Sequence, residues 1–213
     1  MTSQMNNKPV NIRKIGLTGG MGSGKSSVAK LLLQMLGGKH IDADQVCRKI
    51  LEPNGEGWQA FIEAFGNEYQ LDDKSINRPK LRKAIFSDDL FRTRVNGIIH
   101  PIVKKNIISE MEAFWEFPKN SMVIVEVPLL YEVKWEDLFD AVIVVYADSE
   151  VCLKRLMDRD GLDRSQAKAA MECQMKLSEK VLKADHVIDN SGNILDTQGQ
   201  VEHLASILQN SGN

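Results

Sequence analysis

Residues 19–26 read Gly-Gly-Met-Gly-Ser-Gly-Lys-Ser and follow the short apolar run Ile15-Gly16-Leu17. The spacing matches the pattern G-x-x-x-x-G-K-[ST], and both flanks fit that pattern, with an apolar strand before it and an amphipathic helix after it. In the helix, apolar residues recur at intervals of three and four after Lys25, until Gly37-Gly38 ends the pattern. The stretch therefore predicts a glycine-rich loop between a buried strand and a helix.

A loop of this kind is suited to hold phosphate. Glycines let the backbone curl so that successive N–H groups face an anion, and the start of the helix adds partial positive charge. We expect Lys25 to reach the β- and γ-phosphates of ATP and the Ser26 hydroxyl to bind Mg²⁺. The predicted nucleotide contacts in and directly after the loop are Gly20, Gly22, Ser23, Gly24, Lys25, Ser26 and Ser27. Kinases, ATPases and GTPases share this loop, so it does not separate them.

Further short apolar runs rich in Val and Ile follow along the chain and mostly do not alternate with polar residues. This is typical of strands buried on both faces, as in a parallel sheet covered by helices. The runs lie at residues 39–41, 122–127, 141–146 and 186–188. Together with the first run they predict an α/β, three-layer P-loop fold with a five-stranded parallel sheet. We also predict helices near Ser149, from Ser165 towards Leu182, and over about Gln200–Leu208.

Two stretches do not fit simple strand–helix alternation. Residues 51–118 contain turn signals and helical patterns without a strong strand, which predicts a helical, acceptor-binding insertion. Residues 154–182 begin with a charged surface segment that we interpret as a mobile lid. The predicted nucleotide-binding core comprises residues 1–50, 119–153 and 183–213.

The composition favours a small-molecule ligand. The 213 residues are 43% apolar, enough for a core, and 27 Lys and Arg against 29 Asp and Glu give a net charge of −2. A protein that binds nucleic acid non-specifically usually carries a basic excess, so we expect no nucleic-acid partner. No apolar run is long enough to cross a membrane, and the three cysteines form no C-x-x-C pair, so we expect a cytoplasmic protein.

Asp42 and Asp44 directly follow the second predicted strand. Because ligands lie at the carboxyl ends of parallel strands, we expect both aspartates on the edge that carries the phosphate loop. Asp44 is our first candidate to receive or orient an attacking hydroxyl, and Asp42 is the second candidate, grouped with the acceptor. The alternative is that an aspartate here caps the helix that starts near Gln45.

Charged residues elsewhere offer further candidates. Glu126 interrupts an apolar strand and could hold a metal-bound water or pair with a basic residue. Arg155 and Arg159 share one helix face and could neutralise the transferring phosphoryl group, although salt bridges to neighbouring aspartates are the alternative. In the insertion, Arg82 and His100 are candidate acceptor contacts, against the alternatives of a surface charge and a capping or partly buried histidine.

Several blocks together resemble the dephospho-CoA kinase family, in the family's order and over about residues 12 to 192. They are the phosphate loop with its strand, Asp42-Ala43-Asp44, Leu81–Phe86, Ile99-His100-Pro101, Val127–Glu132, Arg155 with Arg159-Asp160, and Ala184–Asn190. Tyr131 stands where Phe is expected, and Ser27, at the end of the nucleotide-binding loop, stands where many members carry Thr.

The resemblance implies that ATP and dephospho-CoA give ADP and CoA, by phosphorylation of the ribose 3′-hydroxyl. It implies a nucleotide-binding core, a helical CoA domain and a lid. At the matching positions, the resemblance implies that Asp44 faces the 3′-hydroxyl and that Arg155 and Arg159 contact ATP phosphates from the lid. Asn190 is similar to the residue near the adenine pocket.

Two other classes of function share the phosphate loop. A nucleoside monophosphate kinase would have a similar core and lid, and would differ in the insertion. A regulatory GTPase would carry Asn-Lys-x-Asp after a late strand, whereas this chain has Asp189-Asn190-Ser191-Gly192 there.

Overall fold

The computed structural model describes residues 14–115 and 122–210, and the predicted boundary at residues 118 and 119 lies outside them. A five-stranded parallel sheet in the order β2-β3-β1-β4-β5 forms the centre of the fold, as predicted. Its strands are β1 (Lys14–Gly19), β2 (Lys39–Asp42), β3 (Val123–Glu126), β4 (Ala141–Tyr146) and β5 (His186–Asp189).

The central strands are buried on both faces, which explains their unbroken apolar sequence. β1 pairs in parallel with β3 and with β4, and β4 pairs in parallel with β5. Every residue of β3 is buried, including the charged Glu126. A glycine is required at position 16, since a Cβ there would lie 2.7 Å from the ring of Phe139. The β1 strand therefore ends with its glycine-rich loop at the middle of the sheet.

The first of two compact units contains the described residues up to His40 and those from 122 onward. Its helices are α1 (Lys25–Leu36), α6 (Ser149–Asp160), α7 (Arg164–Glu172), α8 (Leu177–Val181) and α9 (Ile194–Asn210). Helices α1 and α9 pack against each other, and their apolar residues join those of the sheet in one core. A second, smaller cluster forms where Leu156 of α6 meets Ala167 of α7. The segment that we interpret as a lid is thus largely helical.

The second unit comprises the described residues 41–115 and is helical. It contains α2 (Ala43–Ile50), α3 (Glu56–Phe65), α4 (Arg78–Ser87) and α5 (Asp89–Trp115). The first three helices each pack against the long helix α5. Helix α2, which precedes the predicted start of the insertion at residue 51, also packs with α3.

Two predicted helices differ from the observed ones. The helix predicted from Ser165 to Leu182 is broken into α7 and α8, because the backbone N–H of Met175 donates to Glu132 Oε1 at 2.9 Å, a bond from outside either helix. The last helix starts at Ile194, earlier than predicted, since the side chain of Asn193 caps it by accepting from the N–H groups of Leu195 and Asp196.

Candidate functional site

The phosphate loop joins β1 to α1 through glycines that no other residue could replace without strain. Gly22 and Gly24 have φ values of 75° and 89°, in the left-handed region that favours glycine. A Cβ on Gly22 would lie 2.5 Å from the carbonyl oxygen of Cys152, and a Cβ on Gly24 would collide with Nδ2 of Asn190. The loop is therefore held tightly between the start of α1 and the ends of other elements.

Lys25 lies across this loop. Its ammonium group donates to the carbonyl oxygens of Gly19 and Gly20 at 3.3 and 3.0 Å. The positive charge is thus placed at the loop, where an anion bound by the backbone would need it. The Ser27 N–H, by contrast, donates to the carbonyl of Gly24 at 3.0 Å and begins the helix.

Two predicted residues support the loop from β5 and α6. Arg155 donates to the carbonyl oxygens of Gly22, Ser23 and Asn190 at 3.3, 3.5 and 2.9 Å. The buried Asn190 donates from Nδ2 to the Ser23 carbonyl at 2.7 Å, and its Oδ1 accepts from Thr197 at 2.9 Å. Sequence reasoning missed Thr197, because a threonine inside a helix carries no local sign of such a contact.

Glu126, whose role the sequence left open between two alternatives, lies beside the loop. Its Oε1 accepts from the Ser26 hydroxyl at 3.0 Å, and its Oε2 is 3.5 Å from Nε2 of His40. Burial by itself would raise the pKa of Glu126, but His40, Ser26 and the charge of Lys25 together hold this pKa below its ordinary value. The carboxylate is therefore ionised at neutral pH.

Ser26 and Glu126 bring a hydroxyl and a carboxylate together at the loop. Oxygen donors of this kind are the ligands that Mg²⁺ prefers, directly or through water. The residues present therefore fit the predicted Mg²⁺: Ser26 would be its ligand, and Glu126 would support that ligand through the hydrogen bond to the Ser26 hydroxyl.

Arg159, the other predicted phosphate contact of α6, is engaged differently. Its guanidinium group donates to both carboxylate oxygens of Asp160 at 2.7 Å, at an exposed position. This is the salt bridge that the sequence left open as an alternative. Of the two arginines, Arg155 is the one that the structure brings to the loop.

One neighbour of the loop was not among the predicted site residues. Oε1 of Gln174, in the break between α7 and α8, accepts from the N–H of Met21 at 3.2 Å. The family resemblance places a late glutamine at Gln174, but the sequence analysis left it out of the site because the neighbouring Glu172 and Cys173 look less typical of the family.

Replacing Gly24 by alanine is expected to weaken ATP binding about tenfold or more, because the added Cβ would displace Asn190 from the loop. Isothermal titration calorimetry with ATP measures this change. Gly161→Ala is the matched control, since Gly161 has φ 66° and no described atom lies within 4 Å of a Cβ built there. Equal ATP affinities for the two variants would contradict the tight contact with Asn190.

In the second unit, Asp42 and Asp44 have separate positions. Asp42 is the N-cap of α2: its Oδ1 accepts from the N–H groups of Asp44 and Gln45 at 2.9 and 3.2 Å. Asp44 follows in the first helical turn and is exposed. The capping role considered for this pair therefore belongs to Asp42.

Asp42→Ala should cost about 1 kcal/mol of folding stability through loss of the cap, or about 2–4 °C in Tm. Asp42→Asn should leave Tm nearly unchanged, since asparagine caps as well as aspartate does. Thermal unfolding followed by circular dichroism compares the two variants. A loss of the same size in Asp42→Asn would mean that the charge of Asp42, not its capping geometry, stabilises the fold.

Arg82 lies in α4 and lines an open groove of about 650 Å³. The groove is also lined by Arg78 and Lys83, which are basic, and by Phe86, a residue that is 55% exposed. Such a surface can contact both an anionic and an apolar part of a ligand. Of the residues that line this groove, sequence reasoning named only Arg82, because the helical spacing that brings its neighbours onto the same face is evident only once α4 is defined.

His100 lies in α5 and is half-buried. Burial lowers the pKa of its imidazole below the usual value, so the ring is neutral at pH 7. An acceptor contact by His100 would therefore be a hydrogen bond, without a full positive charge.

Among the described residues, none of the helices combines the length and the apolar character needed to cross a membrane.

The chain is similar to known proteins in sequence. The family model for dephospho-CoA kinase matches residues 13–196. A dephospho-CoA kinase of Listeria innocua is 41% identical over 189 residues, covering 89% of this chain and 94% of the relative. One from Carboxydothermus hydrogenoformans is 42% identical over 197 residues, covering 92% of each.

A solved structure is also similar. The dephospho-CoA kinase of Campylobacter jejuni superposes with a TM-score of 0.68 at 28% identity, covering 94% of this chain and 98% of that one.

Proposed function

The chain belongs to the dephospho-CoA kinase family, and from that premise we propose that it transfers the γ-phosphate of ATP to the ribose 3′-hydroxyl of dephospho-CoA, giving CoA and ADP. The observation that carries the site assignment is the phosphate loop. Lys25 and Asn190 donate to carbonyl oxygens of this loop, and Arg155 donates to the backbone carbonyl of Asn190. A nucleotide-phosphate site in a member of this family is the ATP site.

The reaction forms a bond between the 3′-oxygen and the γ-phosphorus and breaks the bond between that phosphorus and the β,γ-bridging oxygen. Asp44 orients the 3′-hydroxyl and receives its proton on the carboxylate. Its position after the carboxyl end of β2 supports this role. Asp42 caps α2 and so fixes the backbone of the helical turn that carries Asp44. Asp42 contributes to acceptor binding by positioning this turn.

Charge balance comes from side chains around the loop. The ammonium of Lys25 neutralises the β- and γ-phosphates. Arg155 donates to loop carbonyl oxygens, and its positive charge acts on the same phosphates. Ser26, hydrogen-bonded to Glu126, would hold Mg²⁺, and the bound cation would supply further positive charge to the phosphoryl oxygens. Arg159 reaches ATP only after it separates from Asp160.

The acceptor binds to the helical unit. The basic and apolar lining of the α4 groove suits a molecule with an anionic diphosphate and an apolar arm, with Arg82 on the diphosphate. His100 contributes a neutral hydrogen bond. The side-chain amide of Asn190 is bonded to Ser23 and Thr197, so an adenine contact would come from the edge of β5 next to it.

The test is a coupled ADP-release assay with dephospho-CoA and, in parallel, with several nucleoside monophosphates. We expect turnover with dephospho-CoA alone and a product 80 Da heavier that carries phosphate on the 3′-oxygen, about the mass of one added phosphoryl group. Faster turnover with a nucleoside monophosphate would overturn the assignment in favour of a monophosphate kinase.

A further inference from the structure

A fully buried lysine lies in the short helix α8 and takes no part in the proposed mechanism. Lys180 of α8 has no exposed surface, and its ammonium group donates to the carbonyl oxygen of Pro128 at 2.7 Å. It also lies 2.9 and 3.1 Å from the two carboxylate oxygens of Glu132. A buried charge is tolerated only when it is paired and hydrogen-bonded, and these contacts satisfy that need. They also leave Lys180 unable to reach a phosphate directly.

The two acceptors of Lys180 connect it to other elements. The Pro128 carbonyl also accepts from the hydroxyl of Thr18, which is one residue before the loop begins. Glu132 also accepts from the backbone N–H of Met175, in the break between α7 and α8. Glu132 and Pro128 therefore hold two positions, Met175 and Lys180, of the short segment 173–180, and Pro128 is in turn bonded to Thr18 of β1.

This fixed segment touches the phosphate loop at two adjacent residues. Gln174 accepts from the Met21 N–H at 3.2 Å. The side chain of Leu177 faces Gly20, with its nearest atom 3.5 Å from the position that a Cβ would occupy there. The segment thus supports the first half of the loop, while Arg155 and Asn190 support the second half.

A buried ion pair is an unfavourable way to hold a helix in place if stability is the only benefit. A well-packed apolar pair of similar volume is often equally stabilising, but it lacks directional bonds and so specifies position less strictly. The bonds of Lys180 and Glu132 to two backbone groups specify the position of the segment.

We propose that Lys180 and Glu132 are positioning residues for ATP binding: their buried ion pair holds segment 173–180 so that Gln174 and Leu177 keep the phosphate loop in its binding shape. The inference rests on the proposed function, since it takes ATP as the ligand of the loop. A loop that is already ordered loses less freedom when the nucleotide binds, which strengthens binding without any direct contact.

The experiment compares two variants by isothermal titration calorimetry with ATP and no acceptor. In Lys180→Met/Glu132→Leu, the charges are replaced together, so no unpaired charge is left buried and the fold loses only the bonds to Pro128 and Met175. In Gln174→Ala, only the contact with Met21 is removed. We expect Kd for ATP to rise about tenfold in the double variant and about fivefold in Gln174→Ala. The matched control is Lys168→Met, which removes an exposed lysine of α7 and should keep Kd within about twofold.

The stoichiometry of the titration separates positioning from folding. Partial unfolding lowers the number of binding sites and leaves the Kd of the folded molecules unchanged, whereas loss of positioning raises Kd at full stoichiometry. A wild-type Kd in either variant would overturn the inference, and Gln174→Ala still tests it if the double variant fails to fold. ATP binding that is absent from the wild-type chain would overturn the proposed function and the inference together.

Discussion

Lys25→Ala is expected to lower kcat for CoA formation about 10³-fold. The ammonium of Lys25 already lies against the loop, bonded to the carbonyl oxygens of Gly19 and Gly20, so its charge is placed before the nucleotide arrives. Removing it leaves the negative charge on the β- and γ-phosphates without its main side-chain partner. Steady-state ADP release at saturating ATP and dephospho-CoA measures the loss.

The matched control is Lys30→Ala, which removes an exposed lysine five residues further along α1 and should keep kcat within about twofold. If Lys25→Ala retained the wild-type kcat, the loop would not be the phosphate site, and the assignment of ATP to it would be wrong.

Asp44→Asn is expected to lower kcat about 10²-fold or more while Kd for ATP stays within about threefold. Asparagine keeps the size of the side chain but cannot take the proton of the acceptor hydroxyl or bind it as strongly. The position is exposed in the first turn of α2, so the substitution should not disturb the core. Combined kinetics and calorimetry separate the effect on turnover from the effect on nucleotide binding.

Asp72→Asn removes an exposed carboxylate from a turn of the same helical unit and serves as the control for charge alone. Equal losses of turnover and ATP affinity in Asp44→Asn would point to a metal-binding or structural role for Asp44, not to orientation of the acceptor.

The α/β fold could be predicted because its signals are local. Strands buried on both faces have short apolar runs as their sequence, and all five predicted runs form strands of the parallel sheet. Helix ends were harder to predict. The break between α7 and α8 depends on the bond from Met175 to Glu132, a residue 43 positions away, which no local pattern records.

The candidate site, like the fold, could be predicted from the sequence only in part. Asp42 and Asp44 could be placed at a strand end, but which of them caps α2 became clear only from the bonds that Asp42 accepts. Arg155 and Arg159 could not be distinguished in the sequence, yet Arg155 donates to backbone carbonyls of the loop and Arg159 pairs with Asp160. Identical residues four positions apart differ here because the elements around them differ.

The amino-acid sequence by itself established a phosphate loop, because that loop is formed by consecutive residues whose glycines and lysine are needed whatever surrounds them. Tertiary structure alone brought Glu126 to Ser26 and Lys180 to Glu132, pairs separated by 100 and 48 positions. A carboxylate or an ammonium group acquires its role from the groups that share its burial, and those groups become neighbours only when the chain has folded.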